Sequence, residues 1–441
     1  MSLLPILLTL TSLFPAQAPA ASPAGAQALK ERPVLALDLE ESRARSLNMW
    51  FDQSKHWALS GIVLCSYGPR WHPAGSESLV AALKNKQPEL RAFALETLLA
   101  TDPAHLPVVL TPALIDTLVV KGLAFKHELL KSATLKVLST GLPTVNATST
   151  LEWKNWWKVS KADYAPLPWD LPKTLAVAPE DEVSSAGFIA RAFDLNTAGM
   201  EMAIVIDTTG SMQRTIDASA LALSDITLIM EGVAPKLRVG LVEYKDLQDM
   251  SGGAKQLEKL TPKVRTRLGK LSASGGGDVP ESILGGLHIA LADKMGWKRA
   301  ANKLVVVIGD APQRKKTRQE LFDLAKGAHE SPFGADASDI IEVSGSDKSN
   351  AKRGVRPFVI SAIGVGDKAV APQTRITMTE LAKIGGGAYA EVLVGTDDGG
   401  QSASASIVKH ILTLAFGSRW EAEMGRFLSI YLRYRDAGCF K

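Results

Sequence analysis

Along the first third of the chain the apolar positions recur with helical spacing, and the pattern repeats. Ser78-Leu-Val-Ala-Ala-Leu83-Lys-Asn-Lys86 aligns with Ala113-Leu-Ile-Asp-Thr-Leu118-Val-Val-Lys121, and Glu89–Leu99 aligns with Glu128–Leu138. Each unit therefore reads as a helical hairpin, and residues 33–172 as one helical region. Two hairpins are too few for a free-standing stack, so flanking helices must close it: Met49–Cys65 at one end and Leu151–Tyr164 at the other. Trp153, Trp156 and Trp157 share one helical face there, where aromatic bulk suits a core plug better than a ligand box. Pro166–Glu182, proline-bearing and acidic, reads as a linker that leads out of the helical region, and Phe188–Phe193 has the composition of an edge strand, so that 173–199 is assigned to linker and possible edge strand.

From about residue 200 the period changes. Short apolar runs at 202–206, 237–244, 304–308, 357–363 and 388–392 alternate with amphipathic stretches at 215–231, 262–272, 280–294, 318–328, 378–384 and 405–416. Strands alternating with helices predict an α/β domain over 200–420, with a doubly wound, mostly parallel sheet and right-handed crossovers. The polar stretch 334–356 reads as a long surface insertion, and 421–441 as a helical tail.

Three stretches carry the chemistry. Met202–Ile206 runs into Asp207-Thr-Thr209-Gly-Ser211, which puts one carboxylate and two hydroxyls at alternate positions just past a strand end, the oxygen ligands a hard divalent cation requires. Gly275-Gly-Gly-Asp278-Val-Pro280-Glu281 is a glycine loop entering a helix, and Leu304–Ile308 is a second buried strand ending in Gly309-Asp310. In order and spacing the three resemble the loops of a von Willebrand factor A domain with its metal-ion-dependent adhesion site, and the helical region looks like HEAT-type repeat. The resemblance implies that Thr209 and Ser211 bind a divalent cation, most simply magnesium with manganese or calcium as alternatives, while Asp207 and Asp310 hold its waters. It also implies that a partner's carboxylate completes the shell. Well-known members place a threonine where this chain has Asp278, which serves equally well as a helix cap in a capping box. Arg314, Lys315, Lys316 and Arg318, just past Asp310, would steer an acidic partner from the rim or form a solvated charged turn.

Composition narrows the classes. Among 441 residues, 22% are charged and 46% hydrophobic, and the net charge is +4; with no basic helix or aromatic-basic stripe, nucleic acid is not an expected partner. Residues 1–21 hold a short apolar run, Leu3–Phe14, followed by small residues, which reads as a signal peptide cleaved near Ala18–Ala20, with a spacer over 22–32. Export to the periplasm, envelope or exterior follows as the expectation. Cys65 and Cys439 form no disulfide framework, and either one long-range bridge or two free thiols is compatible with their spacing. No P-loop, Gly-x-Ser-x-Gly or His-Glu-x-x-His is present, and His288 stands alone on a helix, so the chain is not expected to be an enzyme. The function expected is an exported, metal-dependent protein-interaction module. A subunit of an AAA+ or chelatase-type ATPase, and an envelope protein whose cation only stabilises the fold, are the alternatives.

Overall fold

The computed structural model describes residues 33–169, 179–245, 247–250, 253–261, 271–276, 281–334, 355–366, 370–394 and 401–440. The signal segment, the spacer, Asp278 and most of the 334–356 insertion lie outside them. No described helix is long and apolar enough to cross a membrane. The described residues divide into two compact units, one within 193–421 and the other within 33–192 together with 422–440.

In the helical unit the repeat read from the sequence is carried by Ser76–Lys84 with Pro88–Ala100 and by Pro112–Val120 with Glu128–Gly141. Equivalent helices pack on one another: Ser76–Lys84 on Pro112–Val120, and Pro88–Ala100 on Glu128–Gly141. Trp57–Cys65 covers Pro88–Ala100, and Thr150–Ser160 packs on Pro112–Val120. Ser149 and Glu152 close a reciprocal capping box at the start of that last helix, satisfying two of its unpaired amides. Trp153 and Trp157 are buried, whereas Trp156 is only half-buried and lines a surface groove with Val145, Asn155 and Tyr164. The tryptophans are therefore a plug in two of three cases.

The chain returns to this unit at its end. Helix Glu421–Asp436 sets Phe427 and Tyr431 against Trp57, with ring centroids 6.4 and 5.6 Å from it, and Phe427 stacks on Phe93 at 4.8 Å. Gly438, at φ +74°, turns the backbone so that Cys439 N–H donates to Tyr434 O, a left-handed helix end that glycine supplies without steric cost. Residues 422–440 are thus part of the helical unit, and both cysteines are free and buried.

The second unit is built on a six-stranded sheet: β1 Met200–Asp207, β2 Arg238–Tyr244, β3 Ala254–Thr261, β4 Asn302–Gly309, β5 Phe358–Gly366 and β6 Gly386–Leu393. The order is β3-β2-β1-β4-β5-β6, all parallel except β3, which pairs antiparallel with β2. β1 and β4 are buried along their whole length, which explains why they read as unbroken apolar runs. Helices Ile283–Leu291, Arg318–Glu330 and Pro372–Ile384 join one face of the sheet in a common core, and Gln213–Val233 packs with Gln401–Phe416.

Three expectations change. β3 was not expected, because Ala254-Lys-Gln-Leu-Glu-Lys-Leu-Thr261 is a half-exposed edge whose lysines and glutamate mask its alternation, as charged edges do. Residues 271–276 are not helical, and 262–270 lie outside the described residues. Phe188–Phe193 is not an edge strand but part of helix Pro179–Ala198. Its buried residues, Phe188, Ile189, Ala192 and Leu195, follow a helical period of one, three and three, which the local β-rich composition obscured.

Candidate functional site

The strand order reverses between β1 and β4, and in an open α/β sheet that switch opens a crevice beyond the carboxyl ends of the strands. Asp207 is the last residue of β1, and Asp310 follows the last residue of β4. The hydrophobic strands thus deliver both carboxylates to one place.

Asp207 is fully buried. Its Oδ1 accepts from the Thr209 amide at 2.8 Å and from the Thr209 hydroxyl at 2.7 Å. Its Oδ2 is buried with no hydrogen-bond partner, a condition that native structures rarely leave unexplained. Burial, followed by the negative charge of Asp310, pushes the Asp207 carboxyl up to about 7, against the two Thr209 hydrogen bonds and Lys245. A divalent cation with its bound waters would supply the positive charge and the hydrogen bond that this oxygen lacks, so the residues fit one. Thr209, also buried, precedes the single turn Gly210–Met212 on which Ser211 is exposed. Its hydroxyl donates its proton to Asp207, leaving lone pairs for an ion. Among the described residues no three His, Cys, Asp or Glu side chains cluster to hold a metal, so hydroxyls would have to complete the ligand set.

The second loop is stitched to the first. Ser274 N–H donates to Thr208 O at 3.0 Å, Gly210 N–H to Gly275 O at 2.9 Å, and Ala273 N–H to Gln213 Oε1 at 2.8 Å. Gly275 and Gly276 have φ of +76° and +88°, and a Cβ on Gly276 would lie 3.0 Å from the Thr209 side chain. Glycine is therefore required by conformation and by proximity. The loop's exit is tied to the third: Glu281 N–H donates to Pro312 O at 3.1 Å, and Leu284 N–H to Gln313 Oε1 at 2.8 Å. Asp278, read from the sequence as a site group or a helix cap, lies outside the described residues. Tyr244 lies beneath the crevice, donating to Ile308 O at 3.3 Å. Its phenol is held well above its usual range by burial and by Asp207, Asp310 and Glu281.

Lys245 was not singled out by sequence, although its place directly after β2 at the carboxyl edge was a usable signal. It is buried, and its ammonium donates to Ser274 O at 2.6 Å and Ser274 Oγ at 2.8 Å. Of the four basic residues past Asp310, Lys315 and Lys316 are exposed in the turn Lys315–Thr317, while Arg314 and Arg318 are half-buried. His288 is exposed on its helix.

The profile of the von Willebrand factor A domain family matches residues 201–329. An ariadne-like RING finger protein of Acanthamoeba polyphaga mimivirus is 29% identical over 136 residues, covering 28% of this chain and 12% of that protein. The alpha-protein kinase vwkA of Dictyostelium discoideum is 28% identical over 120 residues, 26% of this chain and 18% of the kinase. The chain thus matches less than a fifth of the length of either relative. A crystal structure of the SpRpn10 VWA domain superimposes with a TM-score of 0.31 at 13% identity, over 47% of this chain and 94% of that one. Crevice, strand order and profile meet on the same residues, and the chain carries a von Willebrand factor A domain.

Proposed function

We propose that the chain is a cation-dependent protein-binding module whose A domain presents a divalent ion, magnesium in the simplest case, to a carboxylate on a partner protein. A-domain proteins generally mediate protein–protein interaction, and this reading adds the ion. In it Thr209 and Ser211 ligate directly, Asp207 and Asp310 hold the remaining shell, and the partner takes the open position. The observation that carries it is the buried, unpartnered Oδ2 of Asp207 beside a second carboxylate. The carboxylates at the crevice, Asp207, Asp310 and Glu281, are opposed by Lys245, and the positive field that an acidic partner would meet is that of the ion itself. The exposed Lys315 and Lys316 extend that positive field. The helical unit serves as a second interaction surface, and export remains the reading of residues 1–21. Binding of manganese to chelator-stripped protein, followed by spin resonance, tests the ligand set. Thr209→Val and Ser211→Ala should each weaken it about tenfold or more, the loss of one ligand bond; unchanged binding in both would reject this site.

A further inference from the structure

Ser274 is exposed just before Gly275 and Gly276, yet its carbonyl and hydroxyl are both taken by one buried ammonium. Lys245 is 8% exposed. Its amide donates to Gly253 O at 3.0 Å, which fixes its backbone beyond β2, and its head group reaches across to Ser274. The other bonds holding residues 273–276 come from neutral groups or from the Asp249 carboxylate, which accepts from Gly276 N–H. At Ser274 the donor is instead a cation, the Lys245 ammonium. A charged donor making two short bonds is the strongest type of clasp available there. The same ammonium lies near enough to Asp207 to favour its ionised form.

We propose that Lys245 is a positioning residue that acts as the crevice's own cation, fastening the second loop to the sheet so that the site is formed before any metal arrives. The placement of the loop beside a metal rests on the proposed function; the fastening itself does not. A loop that only a metal could order would make every ion bound carry the entropy of ordering it, and Lys245 removes that penalty in advance.

The test is amide hydrogen exchange on the full chain in excess chelator, following Gly210, Ser274 and Gly276. Lys245→Met should speed their exchange by about tenfold or more, the loss of charge-assisted bonds, while Lys245→Arg, which keeps charge and donors, should restore most of the protection. Ser274→Ala, which leaves the carbonyl acceptor, should fall between wild type and Lys245→Met. Protection unchanged in Lys245→Met would overturn the inference. So would equal loss in Lys245→Arg and Lys245→Met with the distant core amides still protected. Manganese calorimetry on the wild-type sample separates the two claims: absence of binding defeats the metal reading while the exchange result still decides the role of Lys245.

Discussion

Asp207→Asn should make the metal-free protein more stable, although it removes the central residue of the site. The ionised carboxylate is buried and lacks a partner at Oδ2, which is why its titration moves from 3.8 to about 7. A shift of that size corresponds to an upper bound of about 4 kcal/mol of disfavoured charge above neutral pH. Asparagine keeps an oxygen for the two Thr209 donors but places an amide donor where Oδ2 was, at about 1–3 kcal/mol if unsatisfied. The net gain is therefore about 1–3 kcal/mol, a few degrees in Tm for a domain of this size. The sign follows from the direction of the shift. A raised carboxyl favours the folded state below pH 3.8, and that contribution is lost as pH rises through about 7. Wild type should thus lose stability across that window relative to the variant, and the gain should shrink toward acid. Thermal unfolding of both proteins in chelator at pH 8 and pH 5 measures it. A variant less stable than wild type at pH 8, or an equal difference at both pH values, would refute the reasoning.

Gly309→Ala would place a Cβ 2.2 Å from the Tyr244 hydroxyl and 3.3 Å from the Asp207 Cβ, so it should destabilise the A domain by about 1–3 kcal/mol and weaken manganese binding, read by calorimetry. Phe427→Ala removes a fully buried ring touching Trp57 and Phe93; urea unfolding of the helical unit should show a loss of about 3–5 kcal/mol. A loss under 1 kcal/mol would mean the C-terminal helix is not part of that core.

The legible parts of this chain were those where one physical demand dominates. β1 and β4 announced themselves because a strand buried on both faces tolerates little except apolar residues, and Asp207 and Asp310 stood out as polar residues at their ends. The repeat of two helical hairpins was readable because the equivalent helices carry the same apolar spacing. What escaped was set by tertiary context. The edge strand Ala254–Thr261 has no buried face pure enough to show a period of two. The helical identity of Phe188–Phe193 depends on what its apolar stripe is buried against, not on its composition. Lys245 reaches Ser274 across 29 residues of sequence, and nothing in a linear pattern links them. The return of Phe427 and Tyr431 to Trp57 and Phe93 joins opposite ends of the chain, which local periodicity cannot report.

The central claim is that the crevice between Asp207 and Asp310 binds a divalent cation, and magnesium calorimetry on chelator-stripped protein tests it most directly. The account predicts one ion per chain, no ion for Asp207→Asn, and tighter binding at pH 8 than at pH 6 with uptake of released protons by the buffer at pH 6, because the ion must displace the proton that burial holds on Asp207. A folded wild-type protein that takes up no magnesium or manganese at pH 8, or that binds either equally well with Asp207→Asn, would contradict it.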